Sequence, residues 1–128
     1  MTGGRGRIVS KPWGHEEIWA ATDRYVGKLL RIRQGHRLSL QHHTVKDETL
    51  RVLEGRLRLT EGPSLDQLQE SILGPGDAFH LPPGQVHRME ALEDVLLVEV
   101  STPELDDVVR HQDDYGRVQA PGSDADPP

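Results

Sequence analysis

The chain has 128 residues, no cysteine and a formal net charge of −6. This length suffices for one domain with its own core, and the missing thiols exclude disulfides and thiolate metal sites. No basic stripe with interleaved aromatics and no apolar run near the ~20 residues of a membrane span is present, so neither nucleic acid nor a membrane is expected as a partner.

In chain order, Met1 to Arg7 carries glycine and charge but no apolar h-region, so no signal peptide is expected and the cytoplasm is the expected location. Residues 1–6 read as a flexible arm, 7–118 as the domain, and 119–128, poor in apolar side chains, as a disordered tail. Short alternating runs predict strands near 27–33, 37–43, 48–54, 56–61, 69–73, 78–81, 86–91 and 94–101. Gln34-Gly35, Glu54-Gly55, Gly62-Pro63, Gly74-Pro75-Gly76 and Pro82-Pro83-Gly84 supply the turns between them. Turn signals at this spacing indicate an all-β sandwich or barrel. Thr102 as N-cap, followed by acids, predicts one short helix from Pro103 to Arg110.

Two stretches carry the chemistry. In residues 37–43, alternation places Arg37, Ser39, Gln41 and His43 on one face and Leu38, Leu40 and His42 on the other. The polar face suits the wall of a wet cavity, and His42 is expected to be structural. Glu48 shares a face with Leu50 and Val52, and His87 follows the Pro82-Pro83-Gly84 turn. Gln41, His43, Glu48 and His87 together offer two imidazoles, a carboxylate and an amide oxygen. Such a set suits one divalent ion, Zn, Mn, Fe, Co or Ni. Four protein ligands leave positions where a hydroxy-carbonyl group can chelate, and a nearby base can then pass a proton between adjacent carbons through an enediolate. His15, Glu16, Glu17, His80, Glu90 and Glu99 are available bases, of which His80, Glu90 and His15 are the catalytic candidates. Trp13 and Trp19 read as core or edge-covering aromatics.

Gly35, Gln41, His43, Glu48 and Gly55 fall on the first cupin motif, with glutamine in place of its first histidine. Gly76, Pro82, Gly84 and His87 fall on the second, with Ala91 where asparagine is usual. The chain therefore resembles the cupins, which implies a single-domain double-stranded β-helix (jelly-roll barrel). Lys11-Pro12-Trp13-Gly14, Arg37-Leu38-Ser39-Leu40-Gln41, His87-Arg88, Glu90 and the run from Asp106 to Arg117 are similar to the type II mannose-6-phosphate isomerase cupins over roughly residues 7–118. The chain is also similar to small stand-alone isomerase-like cupins that open on Lys-Pro-Trp-Gly.

The resemblance implies a metal-dependent isomerase acting on a phosphorylated or anionic sugar. It puts Lys28, Arg37, Arg117 and Arg88 at positions of basic residues that would bind phosphate. Arg37 has the cavity strand phase, whereas alternation turns Arg88 away from His87. No counterpart of the family's nucleotidyltransferase domain lies in the matching region, so GDP-sugar synthesis is not expected. Thr44, Val45 and Leu50 depart from the family near the site, which leaves the substrate open. The competing classes are a metal-dependent oxygenase or decarboxylase, a natural-product tailoring cupin, and a non-catalytic sugar-binding module. A barrel of this kind has an apolar outer sheet and an edge to cover, so a homodimer is expected.

Overall fold

In the computed structural model, which describes residues 6–118, eleven strands follow one another without a helix among the described residues. They are β1 (Arg7–Lys11), β2 (Gly14–Ala21), β3 (Val26–Ile32), β4 (Leu40–His42), β5 (Glu48–Glu54), β6 (Leu57–Gly62), β7 (Gln69–Leu73), β8 (Ala78–Leu81), β9 (Val86–Ala91), β10 (Val95–Ser101) and β11 (Val109–Gln112). Two sheets result, in the orders β1-β2-β3-β10-β5-β8 and β11-β4-β9-β6-β7. Each pairing is antiparallel. Among the described residues, no helix is long and apolar enough to cross a membrane.

Side-chain alternation builds the interior. On β5 the buried residues are Glu48, Leu50 and Val52; on β10 they are Val95, Leu97, Glu99 and Ser101. On β3, Val26, Lys28, Leu30 and Ile32 turn inward, and on β9 His87, Met89 and Ala91 do. Each of these inward rows changes character along its length. Ile32, Val52, Ala91, Val95 and Leu97 pack into the apolar core with Leu57, Leu59 and Trp13, whereas Lys28, Glu48, His87 and Glu99 lie toward the other end. Register brings the polar ends together: Glu99 pairs with Lys28 across one strand boundary, and Gln41 with His87 across another. The barrel is therefore closed by hydrocarbon at one end and carries its site at the other.

Three expectations are corrected. Residues 7–21, outside the strands that alternation predicts, form the β1–β2 hairpin, turned at Pro12-Trp13 with Trp13 buried in the core. The helix expected from Pro103 to Arg110 is absent, and Val109–Gln112 instead pairs with β4 as β11. The Asp107 carboxylate, which would sit in that helix's first turns, accepts hydrogen bonds from the N–H groups of Thr44 (3.0 Å), Val45 (2.7 Å) and Lys46 (2.8 Å). A tertiary acceptor role has displaced the local one. The strand expected over 37–43 is regular only from Leu40 to His42. Arg37 makes an isolated bridge to Glu90, and Leu38 and Ser39, consecutive in sequence, both reach the interior cavity. Strict pleating forbids that, so the phase slips before Leu40. The proposed arm is described only at Gly6, and the tail over 119–128 lies outside the described residues.

Candidate metal centre and its cavity

His43, Glu48 and His87 come from three segments: the residue after β4, the first residue of β5, and the second of β9. All three are buried, and their ligand atoms lie within 4.8 Å of one another. The two imidazole rings are 5.1 Å apart and tilted by 46°. Each ring is held through Nδ1: His43 by the carbonyl of Asp107 at 2.5 Å, His87 by the carbonyl of Gln85 at 3.0 Å. A carbonyl only accepts, so both rings carry their proton on Nδ1 and turn Nε2 toward the centre.

That arrangement calls for a positive charge. His43 Nε2 is 2.6 Å from Glu48 Oε2, a lone pair against a carboxylate unless a proton or cation lies between them. His87 Nε2 is buried without a hydrogen-bond partner. Burial drives the His87 imidazole down to about 4, despite the favourable charge of Glu48, so the ring is neutral at neutral pH. Burial would raise the Glu48 carboxyl, but its contact with His43 and the charge of Lys46 hold it at about 2. The neutral imidazole of His87, the imidazole of His43 and an ionised carboxylate form a donor set that a divalent ion takes. Gln41 is also buried on the cavity wall, where its Oε1 accepts from Ser39 Oγ at 3.2 Å.

The cavity beside this cluster has a volume of about 100 Å³. Lys11, Lys28, Lys46, Arg110 and Arg117 contribute to its walls, against the acids Glu16, Glu48 and Glu99. Lys28 Nζ lies 3.2 Å from Glu16 Oε1, and Lys46 Nζ lies 3.2 Å from Glu99 Oε2 and 3.7 Å from Glu48 Oε2. Burial pushes the Glu99 carboxyl up, and Lys46 only partly counters it. Burial also acts to pull Lys46 down, but Glu99 and Glu48 outweigh it and leave the ammonium above its ordinary value. Arg117 forms a two-point pair with Asp113, both contacts at 3.0 Å. With five cationic side chains against three acids, the cavity suits an anion.

The other candidates from the sequence lie elsewhere. Arg37, expected on the cavity face, points outward and grips Asp114 at 2.6 and 2.8 Å, because the phase slip rotates it off that face. Arg88 lies opposite His87, where Nε donates to the Leu38 carbonyl at 3.0 Å and Nη2 to that of Gln112 at 3.2 Å. It ties β9 to β11 rather than facing the cavity. None of the three catalytic candidates lines the cavity. His15 is on the opposite face of β2 from the buried Glu16; His80 sits exposed against Asp47 at 2.6 Å; Glu90 accepts from Arg58 at 2.9 Å. In each case the pleat turns the side chain away from the interior. His42 points away from His43 and contacts His111 at 2.8 Å.

Sequence reasoning missed Lys46, Lys11 and Arg110 as wall residues. Lys46 had a readable signal, since it is two residues before Glu48 and so shares its phase. Arg110 had none, because only the pairing of β11 with β4 sets it opposite Gln41.

Comparison with known proteins gives a consistent picture of the fold. The family model described as "Cupin domain" matches residues 28–101. The mannose-1-phosphate guanylyltransferase ManC of Salmonella typhimurium is 34% identical over 117 residues, covering 88% of this chain and 23% of that protein. The xanthan biosynthesis protein XanB of Xanthomonas campestris is 31% identical over 119 residues, covering 87% of this chain and 24% of that protein. This chain thus spans about a quarter of the length of the curated relatives it matches. Among solved structures, KdgF from Halomonas sp. superposes with a TM-score of 0.65 at 23% identity, over 76% of this chain and 87% of that one, a likeness of fold.

Proposed function

The chain belongs to the cupin family, and from that premise we propose that it is a metal-dependent enzyme that isomerises a phosphorylated or otherwise anionic sugar. The observation that carries this reading is the meeting of two features in one cavity: the buried donor atoms of His43, Glu48 and His87, and a surplus of lysine and arginine on the walls. The sequence relatives support the substrate class, since the name of one refers to mannose 1-phosphate.

A divalent ion held by His43, Glu48 and His87, with Gln41 as a further oxygen donor, would supply Lewis acidity to polarise a substrate carbonyl. The remaining work falls to the chain itself. Lys28, Lys46 and Arg117 offset the charge of the substrate, and Trp13, Leu30 and Leu38 exclude water from the inner wall. Glu16 and Glu99 are the cavity carboxylates not assigned to the metal, and they take the place of His15, His80 and Glu90 as bases. Of these, Glu99 is assigned as the base, since burial raises its carboxyl above the ordinary carboxylate value. It removes the proton from the carbon beside the carbonyl and returns it to the neighbouring carbon. The protein acts as a homodimer, which covers the apolar outer side chains of the larger sheet.

The test is solvent deuterium exchange at the carbon next to the carbonyl, across a panel of aldose and ketose phosphates, with metal content measured on protein purified without added metal. Exchange into at least one substrate is expected. No exchange across the panel, with the metal present, would overturn the reading. The small cavity volume favours one alternative, oxygenation or decarboxylation of a small carboxylate. Turnover strictly dependent on dioxygen, or release of carbon dioxide from such an acid, would select it.

A further inference from the structure

A second cavity adjoins the first. It has a volume of about 640 Å³ and runs along β1, between Arg7 to Lys11 on one side and Leu105 and Asp106 on the other. Lys11, Glu16, Lys28 and Leu105 line both spaces, so the groove and the metal-side cavity share a wall. Their sizes differ. About 100 Å³ equals roughly three waters' share of liquid volume, well short of the ~300–1,000 Å³ typical of a pocket that holds a whole small ligand. The groove falls inside that range. The space beside His43 and Glu48 is small for a whole hexose phosphate, and the adjoining groove has room for the rest of such a molecule.

The shared wall holds two lysines against a single carboxylate, Glu16. Lys28 is committed to Glu16 at 3.2 Å. Lys11, half-buried at the end of β1, forms no ion pair among the described residues. Burial pulls its ammonium down, with Lys28, Arg117 and Arg110 adding to the effect and Glu16 opposing it. A cation in such company gains from an incoming anion.

We propose that the β1 groove is a binding subsite for the distal phosphate of an open-chain sugar phosphate, anchored by Lys11, while the carbonyl end of the same molecule enters the small cavity beside His43 and Glu48. The inference deepens the isomerase reading and rests on it for the identity of the reacting end. It assigns Lys11 a substrate-binding role and favours acyclic, elongated substrates that reach from the groove into the inner space.

The experiment uses a substrate mimic that cannot react. Sorbitol 6-phosphate is open-chain, phosphorylated and without a carbonyl; its binding to the protein as purified is measured by calorimetry beside sorbitol, gluconate and inorganic phosphate. Expected is tight binding of sorbitol 6-phosphate alone among the polyols, with inorganic phosphate competing. Lys11→Met raises its dissociation constant at least tenfold, and Lys11→Arg stays within threefold of wild type. A reading that needs no variant is acetylation of the wild-type protein, in which bound sorbitol 6-phosphate protects the Lys11 amine. Equal affinity for sorbitol or gluconate, an unchanged constant in Lys11→Met, or an unprotected Lys11 would each overturn the assignment. Absent deuterium exchange with Lys11 protection intact would sink the isomerase reading alone. Intact exchange with Lys11 unprotected would sink this inference alone.

Discussion

At the scale of single residues, the centre depends on where two imidazole nitrogens point. Asp107 and Gln85 carbonyls fix Nδ1 of His43 and His87, so both Nε2 atoms face Glu48. His87→Ala is expected to abolish metal retention, whereas His42→Ala, which removes only the outward contact with His111, leaves it nearly intact; elemental analysis of the purified variants checks this. Glu99→Gln keeps the metal but loses deuterium exchange by about 10²-fold or more if Glu99 is the general base. Acid sensitivity follows from the same residues. The folded pKa of His87 is depressed from 6.5 to about 4, so its contribution to the stability of metal-stripped protein is complete above pH 6.5 and is lost as pH falls from 6.5 through about 4. Such a shift corresponds to a few kcal/mol, on the order of 1.4 per unit. Glu48, depressed from 4.5 to about 2, adds a second loss at lower pH, as pH falls from 4.5 through about 2. Urea titrations of stripped protein between pH 7.5 and 4 should show a falling midpoint, and His87→Gln should flatten the fall.

At the scale of elements, loops and strand ends carry more of the site than strand interiors do. Asp107 holds the loop between His43 and Glu48 by accepting three backbone hydrogen bonds, and it also fixes His43 through its own carbonyl. Hydrogen bonds to a charged acceptor are worth about 1.5–3 kcal/mol each at most, and exposure reduces this, so Asp107→Ala should cost about 1–3 kcal/mol. Amide exchange at Thr44, Val45 and Lys46 should accelerate in that variant, and metal affinity should fall even though no ligand is changed. Two turn glycines separate backbone strain from steric clash. Both have positive φ, +84° at Gly35 and +87° at Gly55. A Cβ on Gly35 meets nothing within 4 Å, whereas on Gly55 it lies 2.1 Å from the Asp94 carbonyl oxygen. Gly35→Ala should therefore cost only the left-handed penalty of about 1–2 kcal/mol, and Gly55→Ala clearly more, as read from denaturation midpoints.

At the scale of the whole molecule, the larger sheet turns Trp19, Leu53 and Val100 to solvent at 50%, 41% and 53% exposure. Apolar side chains gathered on an outer sheet face are the kind of surface a second subunit covers. Sedimentation is expected to show a dimer, and Val100→Lys to shift it towards monomer; a wild-type monomer at all concentrations would remove this expectation. Metal binding and folding are also linked. An ion bound only by the folded state stabilises it by about 2.7 kcal/mol at a free concentration 100 times its dissociation constant. Chelation should lower the melting temperature of wild type and leave that of His87→Ala unchanged.

The residue pattern by itself determined the all-β class, seven of the eight expected strands to within one residue, and the identity of the His43–Glu48–His87 cluster. These are readable because a pleated strand alternates strictly, and because glycine and proline mark its ends. Tertiary structure alone decided the rest. Arg37 left the cavity because the backbone slips phase between Gly35 and Leu40, an event that no count of alternate residues registers. β11 replaced a helix because Asp107 found its hydrogen-bond partners more than sixty residues away. Lys11, Glu16, Lys28 and Leu105 became one shared wall only when β1, β2, β3 and the 105–106 segment were brought together. Local spacing specifies which face a side chain takes within its own strand. Which strand ends converge, and therefore which charges share a cavity, is set by register and closure between segments far apart in the chain.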